Sequence, residues 1–161
     1  MIAKKIIYFV VLAVAVAACS SIDCPMNSHV YAKYGFYKAG NVAMPLTDSL
    51  TVSISKMDGN DTILLNKLTN VHDMQLPLSY LNETDTLYFA WGLTNKTHVT
   101  DTLYVEKSND KHFESVECGA NYFHTLKSIS CTHNLIDSVK IKQDKVNYDV
   151  TQEHIFIYLN R

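Results

Sequence analysis

Asp85-Thr86-Leu87-Tyr88-Phe89-Ala90-Trp91 is the stretch that decides the fold. Leu87, Phe89 and Trp91 recur at every second position, and a β-strand gathers such residues on one face where a helix would scatter them. The same period returns in Leu50, Val52, Ile54; in Leu103, Val105; in Val139, Ile141; and in Ile155, Ile157, Leu159. Turn-forming residues separate these runs at Asp58-Gly59-Asn60, Asn82 to Asp85, Asn95-Lys96, Ser108 to Lys111 and Gly119 to Asn121. No long window keeps helical spacing with capping residues at its ends. About nine short strands at this spacing predict an all-β domain, an antiparallel β-sandwich that is immunoglobulin-like or transthyretin-like in outline. A lipocalin-type barrel is the alternative; it would need a ligand cavity, which nothing in the sequence marks.

The N-terminus reads differently. Lys4 and Lys5 precede an uncharged apolar run from Ile6 to Ala18, the layout of a secretory signal and too short to span a bilayer. Val16-Ala17-Ala18-Cys19 resembles the bacterial lipobox, so residues 1–18 are expected to be removed and Cys19 to carry the lipid. Each acyl methylene buried in a membrane contributes about 0.8 kcal/mol, so two or three chains hold a protein firmly. The expected tether, residues 19–23, is very short. Five residue steps from Cys19 to Cys24 span at most about 18 Å, which keeps the domain close to the headgroups.

Residues 19–161 suffice for one hydrophobic core, so a single β domain is expected. Removing Lys4 and Lys5 leaves 12 basic residues against 16 acidic, a net charge of −4 that disfavours nucleic acid as a partner. With Cys19 lipidated, Cys24, Cys118 and Cys131 allow one disulfide and one orphan thiol. Cys131 shares the parity of Ile129 and would face the core as a small hydrophobe. That favours Cys24 with Cys118, with Cys118 to Cys131 as the rival pairing.

An Asp, Ser or Thr, aliphatic triplet occurs five times: Asp48-Ser49-Leu50, Asp61-Thr62-Ile63, Asp85-Thr86-Leu87, Asp101-Thr102-Leu103 and Asp137-Ser138-Val139. Independent placement of 11 aspartates and 25 Ser or Thr would give roughly one. One cause is structural, with Asp in the turn, Ser or Thr entering the strand, and the aliphatic residue as its first core contact. The triplets also resemble the O-glycosylation acceptor of exported proteins in Bacteroidota, which makes Ser49, Thr62, Thr86, Thr102 and Ser138 candidate acceptors.

Several motifs together resemble a family of small, uncharacterised lipoproteins of Bacteroidota. They are Cys19 with Cys24, Leu76-Pro77-Leu78, Glu117-Cys118-Gly119, Thr132-His133-Asn134-Leu135-Ile136-Asp137-Ser138-Val139, and His154-Ile155-Phe156-Ile157-Tyr158. The resemblance implies a cell-envelope lipoprotein and supports the Cys24 to Cys118 bridge; it supplies no activity. With only Asp23 as an acidic residue between the lipid and Cys24, it implies an outer-membrane anchor facing the periplasm rather than the cell surface.

Catalytic motifs are missing. There is no Gly-x-Ser-x-Gly, no phosphate-binding loop and no dinucleotide fingerprint. His124, Cys131 and His133 are too loosely grouped for the fixed ligand spacing of zinc, so neither metal nor cofactor is expected. Tyr31, Tyr34, Phe36 and Tyr37 form the densest aromatic cluster, spread over both faces of one strand around Gly35. One face should pack in the core, and the other could stack a sugar or contact a protein. The expectation is a non-catalytic binding or structural module, held to the membrane by its N-terminal lipid and engaging an envelope protein or glycan. The alternative function, tied to the barrel fold, is a carrier or sensor of an apolar ligand.

Overall fold

The computed structural model describes residue 24 and residues 30–56, 59–93 and 98–160. The signal segment, Cys19 and the tether at 19–23 lie outside the described residues. Among the described residues eleven strands form two packed sheets, strand makes up 62%, and no helix occurs.

The stretch that decides the fold becomes β6 (Thr84–Gly92), at the heart of the larger sheet. There it lies between β3 (Ser49–Ser55) and β7 (His98–His112), all antiparallel. The sheet continues through β4 (Asp61–Leu68) on one side, and through β8 (Asn121–Cys131) and β10 (Lys145–Val146) on the other. The second sheet is built on β1 (Tyr31–Lys38). One edge of β1 pairs with β5 (Asp73–Pro77) and β2 (Val42–Ala43). Its other edge pairs in parallel with β11 (Ile155–Leu159), which pairs in turn with β9 (Ile136–Ile141). Among the described residues this is the one parallel pair in an otherwise antiparallel sandwich, and it joins the first described strand to the last.

Alternation explains the core. Leu87, Phe89 and Trp91 of β6, Leu50 and Val52 of β3, and Leu103 and Val105 of β7 are fully buried. Tyr34, Phe36, Ile155 and Ile157 close on them from the other sheet. Phe36 meets the Trp91 ring edge-on at 6.4 Å, and large aromatics fill the space between the layers. At about 25 cal/mol per Å² of apolar surface buried, each of these large rings contributes more than a single aliphatic neighbour.

Three expectations are corrected. Ser108 to Lys111 are not a turn; they continue β7, because Ser108 to Lys111 pair residue by residue with Thr125 to Tyr122 of β8. Asp101-Thr102-Leu103 does not open a strand, since β7 starts at His98 and pairs with β6 from there. Ile63 is not a core contact: β4 is an edge strand and the side chain is 60% exposed. In each case cross-strand pairing overrides a local preference.

Candidate functional site

The β7–β8 connection, the start of β1 and the end of β5 meet at one end of the sandwich. A disulfide between Cys24 and Cys118, with Cα atoms 5.7 Å apart, staples the N-terminal segment to this end. Beside it opens a cleft of about 520 Å³, within the size range of small-ligand sites. Val30, Tyr31, Pro77 and Leu78 line one wall, and Lys111, Asn121, Tyr122 and His124 the other. Tyr80 stacks on Tyr122 with ring centroids 4.9 Å apart, and Tyr80 and Leu81 are well exposed. Exposed Phe113 and Val116 follow in the adjoining loop, with Lys111 Nζ 4.9 Å from the centre of the Phe113 ring.

His124 lies buried in the wall with Nδ1 2.7 Å from Asn109 Oδ1. The Asn109 amide nitrogen donates to the carbonyls of Tyr80 and Asn82, so its oxygen is the acceptor and His124 Nδ1 carries the proton. The imidazole is held neutral, its pKa pushed down to about 4 by burial and then by the Lys107 charge. Nε2 keeps a lone pair.

Lys107 itself is fully buried against Asp85, with Nζ 3.1 Å from Oδ2 and both side chains 0% exposed. Nζ also donates to the Asn82 carbonyl at 2.7 Å, and the Ser79 amide donates to Asp85 Oδ2 at 3.0 Å. Burial outweighs the mutual attraction, raising the Asp85 pKa and lowering that of Lys107. Asp85 Oδ1 and the Tyr34 hydroxyl are buried without a hydrogen-bond partner.

A second buried carboxylate organises the far end of β7. Asp101 accepts from Trp91 Nε1 at 3.1 Å, from the Thr132 hydroxyl at 3.0 Å, and from the amides of Asn134, Leu135 and Ile136. It thereby fixes the β8–β9 turn.

The aromatic cluster divides. Tyr34 and Phe36 are core residues and cannot serve as surface binding aromatics, because their parity turns them inward, between the two sheets. Tyr31 reaches the cleft. Tyr37 lies on the outer face of its sheet, 4.2 Å from the Phe156 ring, and its hydroxyl donates to Glu153. Burial and that carboxylate push its pKa up to about 12. Of the candidate acceptors, Ser49, Thr62, Thr86 and Thr102 are half-buried and Ser138 is exposed. Cys131 is a free thiol packed half-buried against the core, its pKa raised by burial and then by Asp101 and Asp137. Its sulfur lies 3.9 Å from His133 Nδ1, while His124 sits on the β8 segment beside β10. Among the described residues no three His, Cys, Asp or Glu side chains converge as a metal site.

Sequence reasoning missed Tyr80, Tyr122 and the buried pair. Parity could have found the pair: Asp85 sits two before Leu87, and Lys107 two after Val105. Both therefore point inward.

The model of one protein family, described as a family of unknown function (DUF6452), matches residues 49–159. No curated protein and no solved structure matches the chain.

Proposed function

Because the chain belongs to this family of unknown function, we infer from the site that it is a lipid-anchored, non-catalytic binding module of the outer membrane. In this reading it faces the periplasm, and its cleft engages an envelope protein or glycan. The observation that carries it is a coincidence of position. The tyrosine-lined cleft lies at the end where the Cys24–Cys118 bridge holds the N-terminal segment. A lipid on Cys19 would bring that end, with its exposed Tyr80, Leu81, Phe113 and Val116, next to the membrane. Aromatic faces with a few hydrogen-bonding groups suit stacking on a sugar or seating a peptide. The carrier alternative is weighed down by the interior, where Trp91, Tyr34, Phe36 and Phe89 fill the space an apolar ligand would need. Of the acceptor triplets, Ser138 is the one this reading keeps for O-glycosylation, since its side chain stands in solvent.

Two measurements test it. Metabolic labelling with a palmitate analogue should mark the chain and fail for Cys19→Ala; equal labelling of both would remove the anchor. Separately, the mature chain is titrated with oligosaccharide and protein fractions of the envelope while tyrosine ring resonances are followed. Tyr80→Ala should weaken binding about tenfold, the loss of one aromatic contact. Binding indifferent to Tyr80→Ala and Tyr122→Ala would reject the cleft.

A further inference from the structure

The environment of Lys107 and Asp85 is complete except at two atoms. Lys107 Nζ has Asp85 on one side and the Asn82 carbonyl on another. Asp85 Oδ2 has the Ser79 amide and Lys107. Asp85 Oδ1 has nothing, and neither has the Tyr34 hydroxyl, which is buried and feels the Asp85 charge. An ion pair sealed from water is costly to bury and leaves that oxygen unsatisfied.

We propose that Lys107 and Asp85 condense spontaneously into an intramolecular isopeptide bond that stitches β6 to β7 beneath the cleft. Lys107 Nζ, as the free amine, adds to Cγ of the protonated carboxyl. The Cγ–Oδ1 bond breaks and Oδ1 leaves as water. The nitrogen gives up one proton to the departing oxygen, so that this proton and the one on the carboxyl leave together in that water. Nothing is oxidised or reduced, and one water is the only other product.

The surroundings fit the product better than the reactants. The new carbonyl keeps Oδ2, which still accepts from the Ser79 amide at the 3.0 Å seen now. The new amide N–H keeps the Asn82 carbonyl as acceptor. The atom that departs is the oxygen without a partner. Burial also favours the reacting forms, an uncharged amine and an uncharged acid, in a site where both pKa shifts run toward neutrality. Holding two reactants in contact supplies the large effective molarity that turns a slow condensation into one that goes to completion.

The test is a mass measurement on the full mature chain, reduced so that the disulfide does not count. The folded protein should be lighter by one water than its sequence requires. Tryptic digestion should leave residues 68–96 joined to residues 97–111, with cleavage after Lys107 blocked. The double variant Asp85→Ala with Lys107→Met, which replaces the pair with apolar groups, should show the full mass of its sequence, with no water lost, and no branched peptide. An intact mass equal to the sequence, or a missing water that maps to one linear peptide as an aspartyl succinimide, overturns the proposal.

Discussion

At the scale of single residues, buried polar side chains are the informative ones. Asp101 receives five hydrogen bonds, three of them from consecutive backbone amides. Asp101→Asn swaps an acceptor oxygen for a donor that faces other donors, so stability should fall by about 2–4 kcal/mol in urea unfolding. A loss under about 0.5 kcal/mol would mean the turn finds other partners. His124 sets a pH dependence. Its pKa is about 4 when folded against 6.5 when unfolded, so the unfolded chain binds more protons between those values. Stability is then lost as pH falls through that window, by about 2 kcal/mol from this residue between pH 7 and 5. His154, buried and also shifted down, acts in the same direction. His124→Gln should flatten the curve of melting temperature against pH, and an unchanged curve would place the effect elsewhere.

At the scale of elements, the strands were legible wherever apolar residues alternate. Each of the runs through Leu50, Leu87, Leu103, Val139 and Ile155 became a strand, since period 2 with one buried face admits one register. The turn read at Ser108 to Lys111 failed, because Asn and Asp mark turns only where no neighbouring strand claims their amides. Edge strands were harder, since β4 turns Ile63 outward and takes two extra residues against β3, with Lys67 at a φ of 51°. The cleft was not legible at all: its walls come from β1, β5, the loop after β5, β7 and β8, and only topology brings them together. Gly35 offers a test at this scale. A Cβ there would stand 2.8 Å from the Tyr37 ring and 2.9 Å from Glu153, so the glycine lets that pair lie across β1. Gly35→Ala should cost about 1–3 kcal/mol by displacing them. The same substitution in a Tyr37→Ala background should cost much less, and an equal cost in both would show the clash lies elsewhere.

For the whole molecule, two closures hold the N-terminal segment to the domain, and they differ in kind. The parallel pairing of β1 with β11 joins the first and last described strands through hydrogen bonds and a shared core face. The Cys24–Cys118 bridge is covalent and joins positions 94 residues apart in the sequence. On the chain-entropy account, a covalent loop of this length stabilises by about 4–5 kcal/mol, mainly by limiting the unfolded chain. The pairing Cys24 with Cys118, favoured by the core-facing parity of Cys131, follows from where β8 places the third thiol. Cys24→Ser with Cys118→Ser should lower stability by that amount in equilibrium denaturation, while the sheets and core keep their protection from amide exchange. An isopeptide between Lys107 and Asp85 would shrink the effect only slightly, since it closes a short loop inside the long one. Loss of exchange protection throughout β1 and β11 would instead show that the bridge, rather than the pairing of the two terminal strands, assembles the smaller sheet.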